Sequence, residues 1–396
     1  MRVLLSAFSC EPGKGSEPEV GLRALLAAAE HNEVWVLTSS NAAPALRRFL
    51  ASHPLRSSVH VEPIPFGVRD HGLGLASFHW HYDLWQRRAM RRALELDREV
   101  GFHVVHHVTM STIWTRVGVS AVPKPLVWGP VGGGVEPPMP LLAELGLRGL
   151  LEDAVRVTSR RMLAQLPPMR TAPATAAVIL AQNRHIVRRL RTRAPVTVLP
   201  NATAVDLNGI RPGPQRNQEI LLVGRIVAWK GGRLALRALR HVTTPEAVLR
   251  LYGEGPDRRR LERLARRWQL SEQVRFETWI RRNTLLPEVA RAGVLLHPSF
   301  HDDAPLCVAE ALSLGTPVVC LDYGGPAEVV RQWPESPARL VTPAGAETTA
   351  RQMAEAIDGF LAHPPPVVAE PVRPAVSFAG ALADAYDQAA RTLTPR

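Results

Sequence analysis

The sequence predicts an α/β protein built from two doubly wound parallel-sheet domains. Three observations carry this reading. Short apolar runs alternate with segments of helical spacing along nearly all of the 396 residues. Several of those runs are continuously apolar, as strands covered on both faces should be. A polar stretch containing Gly and Pro, residues 201–218, separates one such alternation from a second. The length suits two domains of ordinary size.

In the first alternation, residues 3–8, 33–38, 59–63, 102–106, 126–128, 178–181 and 196–199 read as strands. Residues 19–30 and 78–99 read as helices between them. The opening MRVLLSAFSCEPGKGSE has the superficial look of a secretory signal. Its apolar run breaks after eight residues into a Gly/Pro/charged loop, so it is read as the first strand. The second alternation runs through 219–223, 248–252, 274–276, 294–296, 317–321 and 339–341. A Pro-rich break at 364–366 then precedes a helical segment, 378–393. The expected division is a first domain over 1–200, a linker over 201–218, a second domain over 219–375 and a terminal helix within 376–396. No short-period repeat is present, so the similar halves are two domains rather than a solenoid.

Composition narrows the classes. No apolar run approaches the roughly 18–20 residues of a membrane span. Cys10, Cys307 and Cys320 have no spacing that suggests a disulfide framework or a zinc site, which points to the cytoplasm. The net charge of +12 is almost wholly arginine, with lysine only at 14, 124 and 230, and it favours anionic partners. A solvated basic surface is the other reading. Two basic amphipathic segments could lie on an anionic membrane surface: the helix with Trp80, Trp85, Arg87, Arg88, Arg91 and Arg92, and the region 145–170. Packing on a core is the alternative for both. The arginine run at 258–267 frames Leu261, Leu264 and Trp268, giving an amphipathic helix with a basic outer face. A nucleic-acid role needs a recognition element beyond charge, and none is visible.

Chemistry concentrates in the second half. Residues 294–321 read as strand, acidic loop, helix, turn, strand, and ligands of such units sit at the carboxyl ends of the strands. That edge carries Asp302 and Glu310, and the amides of Leu306 and Cys307 at a helix start suit an anion. Upstream, Gly224 opens a loop in which Arg225 and Lys230 can both face a diphosphate, one as a planar fork and one as a point charge. Gly253-Glu254-Gly255-Pro256 ends the next strand in a tight turn. In the first half, Gly13-Lys14-Gly15 lies between strand and helix, where glycine lets backbone approach a phosphate. His106-His107 closes another strand; a paired-His metal site would need further ligands, and none has suitable spacing.

Asp302 and Glu310, with seven residues between them, followed by Gly315-Thr316-Pro317-Val318-Val319, resemble the signature of the family 4 retaining glycosyltransferases, of the GT-B fold and in particular their bacterial members. The Arg225/Lys230 pair resembles that family's diphosphate-binding cations, and the Gly253/Gly255 turn resembles its Gly-x-Gly-Pro turn bordering the nucleotide. This chain departs from the pattern in having aspartate at 302, proline at 305 and threonine at 278, and no histidine within 128–134. The resemblance implies two Rossmann-like domains facing a cleft, with a terminal helix crossing back to the first. It implies transfer of a sugar, with retention, from a UDP- or GDP-sugar to a saccharide or lipid-linked hydroxyl in surface polysaccharide or glycolipid synthesis. The cysteines and the basic segments put the setting in the cytoplasm, either free or peripheral on the inner face of the plasma membrane. Arg225 and Lys230 would neutralise the diphosphate, Glu310 would take ribose hydroxyls and Asp302 would face the sugar. Leu306 and Cys307 would donate amides, with Gly15, Gly224, Gly253 and Gly255 bordering the nucleotide. His107 would reach the cleft, unless both histidines are structural. The nucleotide-sugar would be a substrate, and neither metal nor cofactor is expected. A nucleotide-sugar epimerase of the same architecture, or a non-catalytic nucleotide-sugar-binding subunit, is the alternative.

Overall fold

The computed structural model describes residues 1–67, 75–207, 209–213 and 216–392. Asn208, Pro214 and Gln215 of the expected linker, and Leu393 of the expected last helix, lie outside the described residues. The chain forms two units. One comprises Met1–Gly134, Thr158–Ala204 and the stretch from Val376 on; the other comprises Val135–Val157 and Val205–Ala375.

The first unit holds β1 (Arg2–Ser6), β2 (Glu33–Ser39), β3 (Val59–Ile64), β4 (Val104–His107), β5 (Leu126–Val131), β6 (Ala176–Ala181) and β7 (Val196–Val198). They pair in parallel in the order β3-β2-β1-β4-β5-β6-β7. The period of two along each strand sends neighbours to opposite faces. Val3 and Leu5 join Leu22, Leu25, Leu382 and Tyr386 on one side, while Leu4 joins Trp85, Phe102 and Val105 on the other. Both faces are therefore covered at these central strands, which is why runs such as residues 3–5 are apolar throughout. The helix Phe378–Arg391 buries Phe378, Leu382, Ala385, Tyr386 and Ala389, one stripe at helical spacing, in this unit. β5 extends past the expected 126–128 because Gly129, at φ +127, lets its backbone pass Leu180 O, where a Cβ would lie 2.1 Å away.

The second unit holds β8 (Glu219–Val223), β9 (Val248–Tyr252), β10 (Val274–Glu277), β11 (Val294–His297), β12 (Val318–Leu321) and β13 (Ala338–Val341). Their order, β10-β9-β8-β11-β12-β13, is again parallel and repeats the plan of the first sheet. In both sheets the winding reverses direction next to the first strand. In the second sheet this switch point lies between β8 and β11.

Residues 135–157 fold with the second unit, although they precede its first strand by more than sixty positions in the sequence. The 3-10 turn Met139–Leu145 explains this. Leu141 and Leu145 enter the core beside Leu234, Leu251 and Leu261. Glu144, with its side chain only 2% exposed, pairs with Arg237 at 3.0 Å and approaches Arg233 at 3.6 Å. Arg260 donates to Leu145 O at 3.1 Å.

Candidate functional site

Two loops meet at the switch point of the second sheet. The loop after β8 begins at Gly224 (φ +136), passes the buried Ile226 and Val227, and makes the turn Ala228–Lys230. Gly231 then adopts φ +75, and a Cβ there would lie 2.1 Å from Pro298 O. Only glycine meets both demands. The loop after β11 is tied to the first, since Phe300 N–H and Ser299 Oγ–H donate to Trp229 O at 2.9 and 3.2 Å. From the opposite side, Gly149 packs on Ala228 and the Arg156 guanidinium stacks 4.7 Å above the Trp229 ring. The segment 135–157 thus braces the turn that presents Lys230.

Lys230 Nζ donates to both oxygens of Asp302, at 2.9 and 2.8 Å. Asp302 Oδ2 also accepts from His297 Nε2 at 2.8 Å, and His297 Nδ1 lies 3.6 Å from Cys307 Sγ. Burial pushes the Asp302 carboxyl up, but Lys230 and His297 outweigh it and hold the group well below the usual carboxylate range. Burial lowers the Lys230 ammonium, and Asp302 and Cys307 more than compensate, so its pKa is raised. The same contest in His297 ends with its pKa pushed up to about 9 by Cys307 and Asp302. Near neutral pH the three groups are lysine cation, carboxylate and imidazolium.

The helix Leu306–Ser313 starts immediately beyond. Pro305 caps it with no side-chain bond, and the amides of Leu306 and Cys307 meet no acceptor among the described residues. Pro305 itself has no N–H to offer. Glu310, one turn on, is buried and accepts from Arg282 Nε at 2.5 Å. Burial raises its pKa and Arg282 opposes the rise. Arg282 also donates to Asp206 O. The helix Gly324–Gln332 begins against the same loop, with Gly325 N–H donating to Asp302 O at 2.9 Å.

The remaining expected residues divide clearly. Arg225 is exposed, and its side chain has no ion-pair partner among the described residues. Gly253 and Gly255 let the loop after β9 touch the loop after β8, since a Cβ at either would lie 2.1 Å from Gly224 O or Ile226 O. Their visible work is to pin that loop. Gly15 (φ +65) precedes the helix Ser16–Ala29 in the first unit. His107 is also there, wholly buried, with Nδ1 3.1 Å from Ser6 Oγ and Nε2 without a partner among the described residues. Burial, then His106, lower its pKa to about 3. His106 bridges Tyr386 Oη (2.8 Å) and Gly129 O (2.7 Å), a bonded core position. Among the described residues no cluster of His, Cys, Asp and Glu could hold a metal ion, and no helix is long and apolar enough to cross a membrane.

Sequence reasoning missed His297, which lies just past the expected strand 294–296, and Arg282, whose pairing with Glu310 leaves no spacing signal. It also placed Trp85 with Trp80 as an interfacial aromatic. Five positions apart, the two rings point to nearly opposite sides of the helix Leu75–Val100. Trp85 is core, stacked with Tyr82 and edge-on to Phe8, whereas Trp80 is 72% exposed. Leu145 likewise leaves the expected basic surface for the core, while Leu147, Leu151, Val155 and Met162 are exposed.

The architecture is that of the GT-B proteins. Sucrose-phosphate synthase from Thermosynechococcus elongatus superposes with a TM-score of 0.62 at 17% identity, over 99% of this chain and 98% of that one. Anabaena HepE in complex with UDP gives 0.56 at 16% identity, over 99% of both chains. Residues 210–366, which contain every expected site residue of the second unit, match the family described as Glycosyl transferases group 1. The 2-deoxystreptamine glucosyltransferase of Streptomyces kanamyceticus is 25% identical over 225 residues, 54% of this chain. The chain spans 57% of that relative's length.

Proposed function

We propose that the protein is a retaining glycosyltransferase that moves a sugar from a UDP- or GDP-sugar to a hydroxyl acceptor in surface polysaccharide or glycolipid synthesis. The observation that carries this reading is the Lys230 cation at the switch point of the second sheet, beside the amides of Leu306 and Cys307, which meet no acceptor among the described residues. Cation and helix N-terminus together suit a diphosphate. Arg225 supplies a second cation, and Glu310, fixed by Arg282, takes the ribose hydroxyls. Asp302, held by Lys230, faces the sugar. In the reaction the bond from the anomeric carbon to the diphosphate oxygen breaks, and the acceptor oxygen bonds to that carbon from the same face. The acceptor proton passes to the departing diphosphate. Lys230 and the amides stabilise the negative charge that grows on this leaving group. UDP is the first donor nucleotide to try, as HepE is seen with it.

The acceptor side adds a membrane reading. In the first unit Trp80, Met162 and Leu166 are exposed beside the exposed Arg161 and Arg170. Arg160 lies near enough to His79 to lower its pKa, after burial, so the two segments are neighbours. Apolar side chains interleaved with arginine suit an anionic bilayer that carries a lipid-linked acceptor.

The test is nucleoside diphosphate release from UDP- and GDP-sugars, with and without pooled saccharide and lipid-linked acceptors, and the anomeric configuration of the product by NMR. Acceptor-dependent release with retention is expected. Conversion of the donor without acceptor would replace this reading with an epimerase.

A further inference from the structure

His297 suggests how the site keeps its charge, an inference that rests on the donor-site reading above. Its side chain is 3% exposed, so no solvent competes for its ring nitrogens. Nε2 meets Asp302 Oδ2 at 2.8 Å and Nδ1 meets Cys307 Sγ at 3.6 Å. Asp302 in turn spends both oxygens on Lys230. Lysine and carboxylate alone would be a neutral pair, and a neutral pair attracts a diphosphate weakly. We propose that His297, as an imidazolium, is a positioning residue that anchors Asp302 and supplies the surplus positive charge with which Lys230 engages a nucleoside diphosphate. With the imidazolium in place the cluster carries one net positive charge, and Asp302 stays anchored when Lys230 turns toward an anion. A neutral imidazole would leave the diphosphate facing a neutral cluster.

The titratable groups around the ring are Asp302 at the end of its own loop, Cys307 from the helix Leu306–Ser313 and, through Asp302, Lys230 from the loop after β8. The contacts with Cys307 and Asp302, outweighing burial, push His297 up to about 9. Diphosphate affinity should therefore be steady near neutral pH and fall as pH rises through that value. Cys307 touches the ring and so needs its own control.

UDP and GDP are titrated calorimetrically, between about pH 7 and 10, into the wild type, His297→Gln and Cys307→Ser, with thermal melts to check folding. Expected is a loss of about tenfold in wild-type affinity across that range, the scale of removing one nearby charge at the dielectric of a protein surface. His297→Gln should be weaker by about the same factor at neutral pH and show no alkaline fall. Cys307→Ser should retain a fall, moved to lower pH because one of the contacts that push His297 up is gone. The inference is overturned if His297→Gln binds as tightly as wild type, or binds weakly with the alkaline fall intact. It is also overturned if Cys307→Ser keeps the neutral-pH affinity of wild type and shows no fall at any higher pH. The comparison of wild type with Cys307→Ser keeps the His297 ring in place and so stands even where His297→Gln does not fold. Wild type that binds neither nucleotide removes the donor-site reading itself, and this inference with it.

Discussion

At Gly231 a single backbone position decides whether Lys230 can face Asp302. Its φ of +75 costs any other residue roughly 1–2 kcal/mol. A methyl group would also press on Pro298 O, 2.1 Å from the ideal Cβ, so the loop must shift. Gly231→Ala should therefore destabilise the protein by roughly 2 kcal/mol in urea denaturation and weaken UDP binding together. Unchanged affinity would show that the turn does not set the lysine. The loop was legible from Gly224 and Lys230, and Gly231 stands directly after that lysine. His297 was not, because an apolar strand ending in histidine has the same pattern whether the ring points at a carboxylate or into a core. Arg282 was hidden for a related reason. Its partner Glu310 is 28 positions away on another helix, and sequence spacing reports only neighbours on one element.

Among elements, the turn Met139–Leu145 shows what pattern cannot assign. Leu141 and Leu145 are plainly apolar, but no periodicity says which of two similar sheets will bury them. The central strands were legible for the opposite reason, since a run such as Val294–His297 is covered on both faces. Glu144 is the element's electrostatic anchor. Removing its carboxylate leaves Arg237 only its second partner, Glu347 at 3.2 Å, beside a buried gap, and losing a hydrogen bond to a charged group in this way costs roughly 2 kcal/mol. Glu144→Ala should show that loss in denaturant melts, with hydrogen exchange rising first in peptides covering 135–157. Exchange that rose uniformly would contradict the anchoring role. On the first unit, the exposed apolar and arginine side chains predict co-sedimentation with anionic vesicles and none with neutral ones. Trp80→Ala with Met162→Ala should abolish it, and retained co-sedimentation would place the contact elsewhere.

Across the whole molecule, the two sheets respond to pH in opposite senses. His106 and His107 are buried neutral in the first unit, with pKa values lowered by burial to about 4 and about 3. The unfolded chain binds their protons near the ordinary value of about 6.5. Stability from this pair is therefore lost as pH falls below that value. His297, raised to about 9, contributes stability that is full below about 6.5 and lost as pH rises through its folded value. Hydrogen exchange corrected for intrinsic rates should show β1 and β4 weakening first toward pH 5, and β8 and β11 weakening first toward pH 9. The reverse order would refute the assignment of charge states.

The central claim is that Lys230 and the amides of Leu306 and Cys307 receive a nucleoside diphosphate. Calorimetric titration of UDP, GDP and ADP into wild type and Lys230→Ala tests it most directly. The account predicts that one of these nucleotides binds wild type and binds the variant at least about tenfold more weakly, as expected when a charge-assisted contact is removed. Equal affinity in the two proteins, or no binding to wild type at millimolar concentration, would contradict it.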